Sequence, residues 1–293
     1  MKELKNVMAL PPTPLTDDGR IDKESLRSVI DFEMENGCYG VGVLAAIGEG
    51  YLISEKDWIT VVKNAVDHMN SRGPLLAGCA TMGTGRAIEL VKKAEDLGAD
   101  AVLAFNPQGM RMYTENELYE HFKALTDAVN IHIVPYARAD DLIPFEVIKR
   151  LVDERRITHM KYAFRSCALL QKLDKSLKDK LFKFCGADSR TLRYLLLGCE
   201  GIMTATAAVL PKENVELLSL VKEGKIEDAR KYWYEKFLKW NDSGFFENWQ
   251  WAHKYALKLM GVIKSDTVVP PQSVGADYHK EELESLLKYQ EKI

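Results

Sequence analysis

Lys161 is the residue in this chain whose type and position invite chemistry. It closes the run Ile157-Thr158-His159-Met160-Lys161, where a period of two sends Ile157, His159 and Lys161 to one face and Thr158 and Met160 to the other. A lysine turned into an apolar interior, with no carboxylate beside it, holds its proton weakly, and the free amine attacks a carbonyl to give an imine. The same spacing also suits a lysine that reaches out to solvent or pairs with an acid. Tyr136 ends the preceding apolar run, so its phenol can move protons to or from a carbinolamine or a substrate hydroxyl. Arg138, two residues on, has the forked donors that hold a carboxylate. His159 reads as interior filling rather than as a base. The other histidines, His68, His121, His132, His253 and His279, form no i,i+4 pair and no ligand spacing, so no metal site is expected.

These side chains need a frame. Short apolar or β-branched runs recur at Asn6–Leu10, Gly40–Leu44, Leu75–Cys79, Ala101–Phe105, Ile131–Pro135, Ile157–Lys161, Leu181–Cys185 and Gly201–Thr204. Between them lie amphipathic stretches, Lys23–Asn36, Glu55–Asn70, Gly85–Leu97, Glu115–Val129, Phe145–Glu154 and Arg190–Leu197, several closed by glycine. Strands alternating with helices make a parallel sheet covered on its outer face. A doubly wound sheet would place a glycine-rich turn after the first strand, whereas this chain runs into Pro11-Pro12-Thr13-Pro14, which cannot start a helix. The pattern therefore predicts a (β/α)8 barrel over residues 1–224, with a C-terminal helical extension over 225–293 formed by Lys225–Trp240, Phe245–Gly261 and Lys280–Gln290. In such a barrel the working residues sit where strands end, which selects Ala46–Glu49, Tyr136–Arg138, Lys161, Gly186–Asp188 and the segment after Met203.

Composition narrows the function classes. The 293 residues carry 40 Lys and Arg against 43 Asp and Glu, a net charge of −3 without a single-sign block, so no nucleic-acid partner is expected. No apolar stretch has the length of a membrane span and the first ten residues have no signal-peptide core, so the expected location is the cytoplasm. Five scattered cysteines, Cys38, Cys79, Cys167, Cys185 and Cys199, read as reduced and mostly buried.

The order of these segments resembles the dihydrodipicolinate synthase and N-acetylneuraminate lyase family of class I Schiff-base aldolases and dehydratases, over essentially the whole chain. The resemblance is carried by Leu-Pro-Pro-Thr-Pro-Leu-Thr-Asp-Asp-Gly-Arg-Ile-Asp (10–22), Gly48-Glu49-Gly50-Tyr51-Leu52-Ile53-Ser54, Leu118-Tyr119-Glu120-His121-Phe122, Gly186-Ala187-Asp188 and Gly198-Cys199-Glu200-Gly201-Ile202-Met203-Thr204. It implies that Lys161 forms the imine, that Tyr136 shuttles protons, and that no cofactor beyond that covalent imine is used. It also implies a small-molecule 2-keto acid substrate and a homo-oligomer, dimer or tetramer.

The departures from the family pattern are informative. The Gly-Thr-Thr-Gly-Glu segment that holds the keto-acid carboxylate reads Ala45-Ala46-Ile47-Gly48-Glu49, which leaves backbone N–H groups at Ala46 and Ile47 but no hydroxyls. Tyr136-Ala137-Arg138-Ala139-Asp140 is similar to the 5-dehydro-4-deoxyglucarate dehydratase branch and places Arg138 at the distal end of an acidic sugar. The tyrosine pair of the synthases is replaced by Asn106-Pro107-Gln108-Gly109-Met110, and Tyr162 follows Lys161 in place of Asp. The expected activity is a lyase, aldolase or dehydratase, acting on pyruvate or a 2-keto deoxy-sugar acid, with Lys161 and Tyr136 catalytic and Ala46, Ile47, Arg138, Gly186 and Met203 binding. The alternative is a ligand-binding or regulatory protein of the same fold that lost the chemistry with its hydroxyls. A sugar-phosphate enzyme fits less well, because Ala205-Thr206-Ala207-Ala208 lacks the glycines of a phosphate cradle.

Overall fold

The computed structural model describes residues 2–81, 83–107, 112–138, 143–242 and 248–293. Gln108, Gly109, Met110, Ala139 and Asp140, and the expected helix start at Phe245, lie outside the described residues. The first half runs β1 (Met8–Ala9), α1 (Lys23–Glu35), β2 (Gly40–Val43), α2 (Glu55–Met69), β3 (Leu75–Cys79), α3 (Thr84–Asp96), β4 (Ala101–Phe105) and α4 (Glu115–Ala128). It continues with β5 (His132–Ala137), α5 (Phe145–Asp153), β6 (His159–Tyr162), α6 (Cys167–Leu177), β7 (Phe182–Cys185), α7 (Thr191–Leu196) and β8 (Gly201–Ile202). After these come α8 (Thr206–Val209), α9 (Pro211–Lys222), α10 (Ile226–Lys236), α11 (Leu238–Asp242), α12 (Trp249–Leu259) and α13 (Asp277–Tyr289).

All eight strands are parallel and paired in chain order. Ile202 N donates to Asn6 O (2.9 Å) and Leu10 N to Thr204 O (3.2 Å), and a parallel bridge joins Val7 to Ile202, which brings the last strand back to the first. The result is the expected TIM barrel with helices beyond its last strand. Where capping residues are present they fix the helix starts: Asp22 accepts from Glu24 N and Ser25 N ahead of α1, and Thr114 and Glu117 form a reciprocal capping box at α4.

Period-two alternation sorts the strand side chains into two apolar layers. Val7, Ala9, Val41, Val43, Val102, Ala104, Ile133, Met160, Tyr162 and Ile202 face the helices. Met8, Leu10, Leu76, Leu103, Phe105, Val134, Tyr136, Phe184 and Met203 fill the inside of the barrel. On β2 the inward positions are Gly40 and Gly42, and a Cβ there would strike Met8 and Leu10, so the small residues make room for the large ones beside them. Ile157 does not share the inward face with His159 and Lys161. It precedes the paired part of β6, where strand alternation has not begun, and packs in the outer layer.

Burial is costly at Glu33 on α1. Its side chain is fully buried, neither carboxylate oxygen has a hydrogen-bond partner, and burial pushes its pKa well above the usual carboxylate range. A raised carboxyl pKa means that stability is highest below about pH 4.5 and is lost as pH rises through the folded-state value. Glu33→Met should therefore raise the unfolding free energy at pH 8 by roughly 1–3 kcal/mol. Denaturant titrations at pH 8 and pH 4 should show that gain shrinking at the acid end.

Candidate active site

Neighbouring strands set Lys161 and Tyr136 side by side. In the ladder Phe105 pairs with Tyr136, Tyr136 with Lys161, and Lys161 with Phe184, so the amine sits between two aromatic residues at the strand ends. Lys161 is 4% exposed, and its Nζ lies 4.1 Å from the centre of the Tyr136 ring. Phe105 meets Tyr136 edge-on with ring centres 5.1 Å apart. Gly186 explains how a lysine chain fits here. A Cβ at that position would overlap the Lys161 methylenes, so its absence opens the lane along which they lie.

No carboxylate forms a salt bridge with Lys161 among the described residues, and burial lowers its pKa to about 7. Asp188 acts in the opposite direction and is outweighed. Of the two states left open for this lysine in the sequence, the structure shows the dry interior one. Lys183, on the adjacent strand, shows the other outcome. It points outward, is equally hidden from water, and bonds Glu200 Oε2 at 2.9 Å with Asp174 Oδ1 at 3.5 Å. Burial also pushes the Tyr136 phenol well above its ordinary value, so it stays protonated and can serve as an acid.

The other expected binding residues spread around this pair. Ala46 and Arg138 line a cavity of about 380 Å³ together with Phe105, Thr81, Trp249 and Gln250. The Arg138 guanidinium lies 6.0 Å from the centre of the Phe105 ring. Ile47 and Met203 are buried in the inner layer with Tyr136. His159 is interior filling as expected: its Nε2 bonds Leu4 O at 3.1 Å, its ring packs on Phe182 and Phe184, and burial lowers its pKa to about 4.

Two arrangements in the site were not foreseen in the sequence, although Glu49 and His253 were both named there. Glu49 and Lys254 are both fully buried and form an ion pair between the loop after β2 and helix α12. Glu49 Oε1 also accepts from Val269 N (2.8 Å), and Lys254 Nζ donates to Thr267 O (2.7 Å). Burial drives both groups toward neutrality while their mutual attraction opposes it. Leu44 and Glu49 adopt left-handed backbone, φ 59° and 57°, so a loop with unfavourable torsions is fixed by this pair and by Thr13 Oγ1 donating to Gly48 O at 2.6 Å. The second feature is His253, also on α12. It is buried between Trp240 and Trp249 with Nδ1–H donating to Trp249 O (2.7 Å), and its Nε2 has no partner. Lys254 and His253 stand alone in sequence, and only the α12 periodicity hints that both face inward.

Carbamylation by cyanate, followed by peptide mass analysis, should give Lys161 a pH profile with a midpoint near 7, because the free amine predominates above its pKa of about 7. Surface lysines should react only as pH climbs toward 10. Removing one member of the buried pair strands the other charge, so Lys254→Met should cost about 3–5 kcal/mol of unfolding free energy. In denaturant titrations the double variant Glu49→Leu/Lys254→Met should lose clearly less.

The dihydrodipicolinate synthetase family profile matches residues 3–290. The 4-hydroxy-tetrahydrodipicolinate synthase of Nitrosococcus oceani is 33% identical over 272 residues, 92% of each chain. A crystal structure of dihydrodipicolinate synthase superimposes with a TM-score of 0.92 at 30% identity, covering 99% of this chain and all of the other. A prophage protein of the same family from E. coli K12, solved in complex with pyruvate, aligns with a TM-score of 0.90 at 25% identity over 99% of both chains. With an eight-strand barrel, a lysine and a tyrosine at adjoining strand ends, and a match along nearly its whole length, this chain belongs to the dihydrodipicolinate synthetase family.

Proposed function

We propose that the protein is a lyase that binds a 2-keto acid of the deoxy-sugar-acid class as a Schiff base on Lys161. The observation that carries this reading is the buried Lys161 amine, which makes no salt bridge among the described residues and faces the Tyr136 ring, with a pKa brought down to about 7. The pyruvate found in the E. coli relative supports the keto-acid end of the assignment. No added cofactor is required, because the imine itself serves as the electron sink.

The chemistry follows from the layout. The neutral amine adds to the C2 ketone, and the carbinolamine loses water as Tyr136 gives a proton to the departing hydroxyl. The protonated imine then draws electrons from C3. Either the C3–C4 bond breaks, with the C4 hydroxyl proton passing to the Tyr136 phenolate, an aldehyde released and the resulting enamine taking up a proton at C3 to regenerate the imine, or the C3 proton leaves and the C4 hydroxyl departs with a proton as water. Hydrolysis of the imine returns the amine. Backbone N–H groups at Ala46 and Ile47 receive the C1 carboxylate, Arg138 takes an anionic group at the far end, Gly186 admits the lysine chain, and Met203 supplies an apolar floor.

Ile47 favours a second reading, ligand binding without turnover, because its buried apolar side chain cannot relay a proton to Tyr136. Incubation with pyruvate or 2-keto-3-deoxygluconate, reduction with borohydride and peptide mass analysis test the proposal. The expected result is a stable adduct confined to the Lys161 peptide and missing in Lys161→Ala. Absence of an adduct with every 2-keto acid, in folded protein, would establish the second reading in its place.

A further inference from the structure

The catalytic pair belongs to the barrel, yet part of the cavity beside it does not. Trp249 and Gln250, the first two residues of α12, form one of its walls. Tyr51, which also lines it, is tied to that same part of the chain. Gln250 Nε2 donates to the Tyr51 hydroxyl at 3.4 Å and Gln272 Nε2 at 3.1 Å, although these glutamines are 199 and 221 residues away in sequence. Gln250 is 7% exposed while Tyr51 is 49% exposed, so a buried amide anchors the hydroxyl of a half-exposed ring.

The chemistry of this lining is selective. Arg138 is the one charged side chain among the described residues that line the cavity. The remaining polar groups are neutral: the Tyr51 and Thr81 hydroxyls and the Gln250 amide. Phe105 and Trp249 add aromatic surfaces of the kind that pack against the C–H faces of a sugar chain. The volume of about 380 Å³ lies within the ordinary range for small-molecule sites and exceeds what a three-carbon acid would fill.

The geometry points to a neutral hydrogen-bonding subsite, built from Tyr51, Gln250 and Trp249, that reads the hydroxylated chain of a sugar acid whose distal carboxylate rests on Arg138. This rests on the lyase reading for the identity of the reacting end, and it assigns the choice of substrate length to α12 and the segment around Gln272. A polyhydroxylated acid gains hydrogen bonds there that pyruvate cannot make, whereas an apolar chain of equal length would strand the amide and hydroxyl groups.

D-gluconate has the hydroxyl chain and the carboxylate but no ketone, so its binding reports on the subsite without the imine. Calorimetric titration of the full chain should show saturable gluconate binding, weakened about tenfold in Tyr51→Phe and again in Gln250→Ala, the loss expected for one hydrogen bond to a ligand. Hexanoate, of equal chain length without hydroxyls, should bind more weakly than gluconate and show no such dependence on Tyr51. Tyr51→Phe also takes a hydrogen-bond acceptor from Gln250 and Gln272, so its thermal unfolding and its labelling by pyruvate are recorded beside the parent's to establish that it is folded. Gluconate binding that is absent, or unchanged in Tyr51→Phe, overturns the subsite even where pyruvate labels Lys161. Gluconate binding that depends on Tyr51 in a protein that no keto acid labels upholds the subsite and removes the lyase reading alone.

Discussion

Closing a parallel sheet on itself leaves every strand residue one of two fates, and the reactivity of this protein depends on that parity. Inward residues enter a tube that must be filled with side chains, while outward residues meet the helices. Lys161 is inward, between Tyr136 and Phe184 in register, and its amine is made a weaker base by the packing around it. Lys183 differs from it by one step in register on the next strand and faces the opposite way, where two carboxylates meet it. One residue type thus yields a candidate nucleophile on one side of the sheet and a structural ion pair on the other.

The barrel was legible because its signals are local and repeated. Leu75–Cys79 and Ala101–Phe105 coincide with β3 and β4, and the first four helices lie within a residue or so of the amphipathic stretches. Lys161 and Tyr136 could be named because strand parity is itself a sequence property. What escaped has a physical reason in each case. Helix α6 starts at Cys167 after Ser166, a residue of the capping type whose side chain nevertheless makes no capping bond, so its one start signal is weak. Helix α8 spans four residues, too few to show a period. The Glu49–Lys254 pair and the hold of Gln250 and Gln272 on Tyr51 join residues about two hundred positions apart, and no local pattern encodes such a meeting.

The site divides its work between two parts of the chain. Strands β5 and β6, with Gly186 beside them, determine how basic and how confined the amine is, and they belong to the hydrogen-bonded ladder of the barrel. The cavity above is walled by the loop after β2, by Arg138 and by α12, elements free to vary without disturbing the ladder. That division suits a chain with Lys161 and Tyr136 at adjoining strand ends, Ala46 beside the cavity and Ile47 buried in the inner layer. The reacting group is tied to strand geometry, and the groups that select a substrate are not.

The ion pair of Glu49 and Lys254 has a bearing on how the protein comes into being. A growing chain has all eight strands before it has Lys254, and Val269, which also holds Glu49, follows that carboxylate by 220 residues. Until then the loop over the barrel mouth holds a charge without its counterpart and two left-handed residues with little to keep them there. The mouth is therefore completed only after the eight strands, once α12 and Val269 have been made. A ribosome-bound or prematurely terminated barrel would carry its lysine in an unfinished pocket, so assembly of the reactive site and arrival of the tail form a single event.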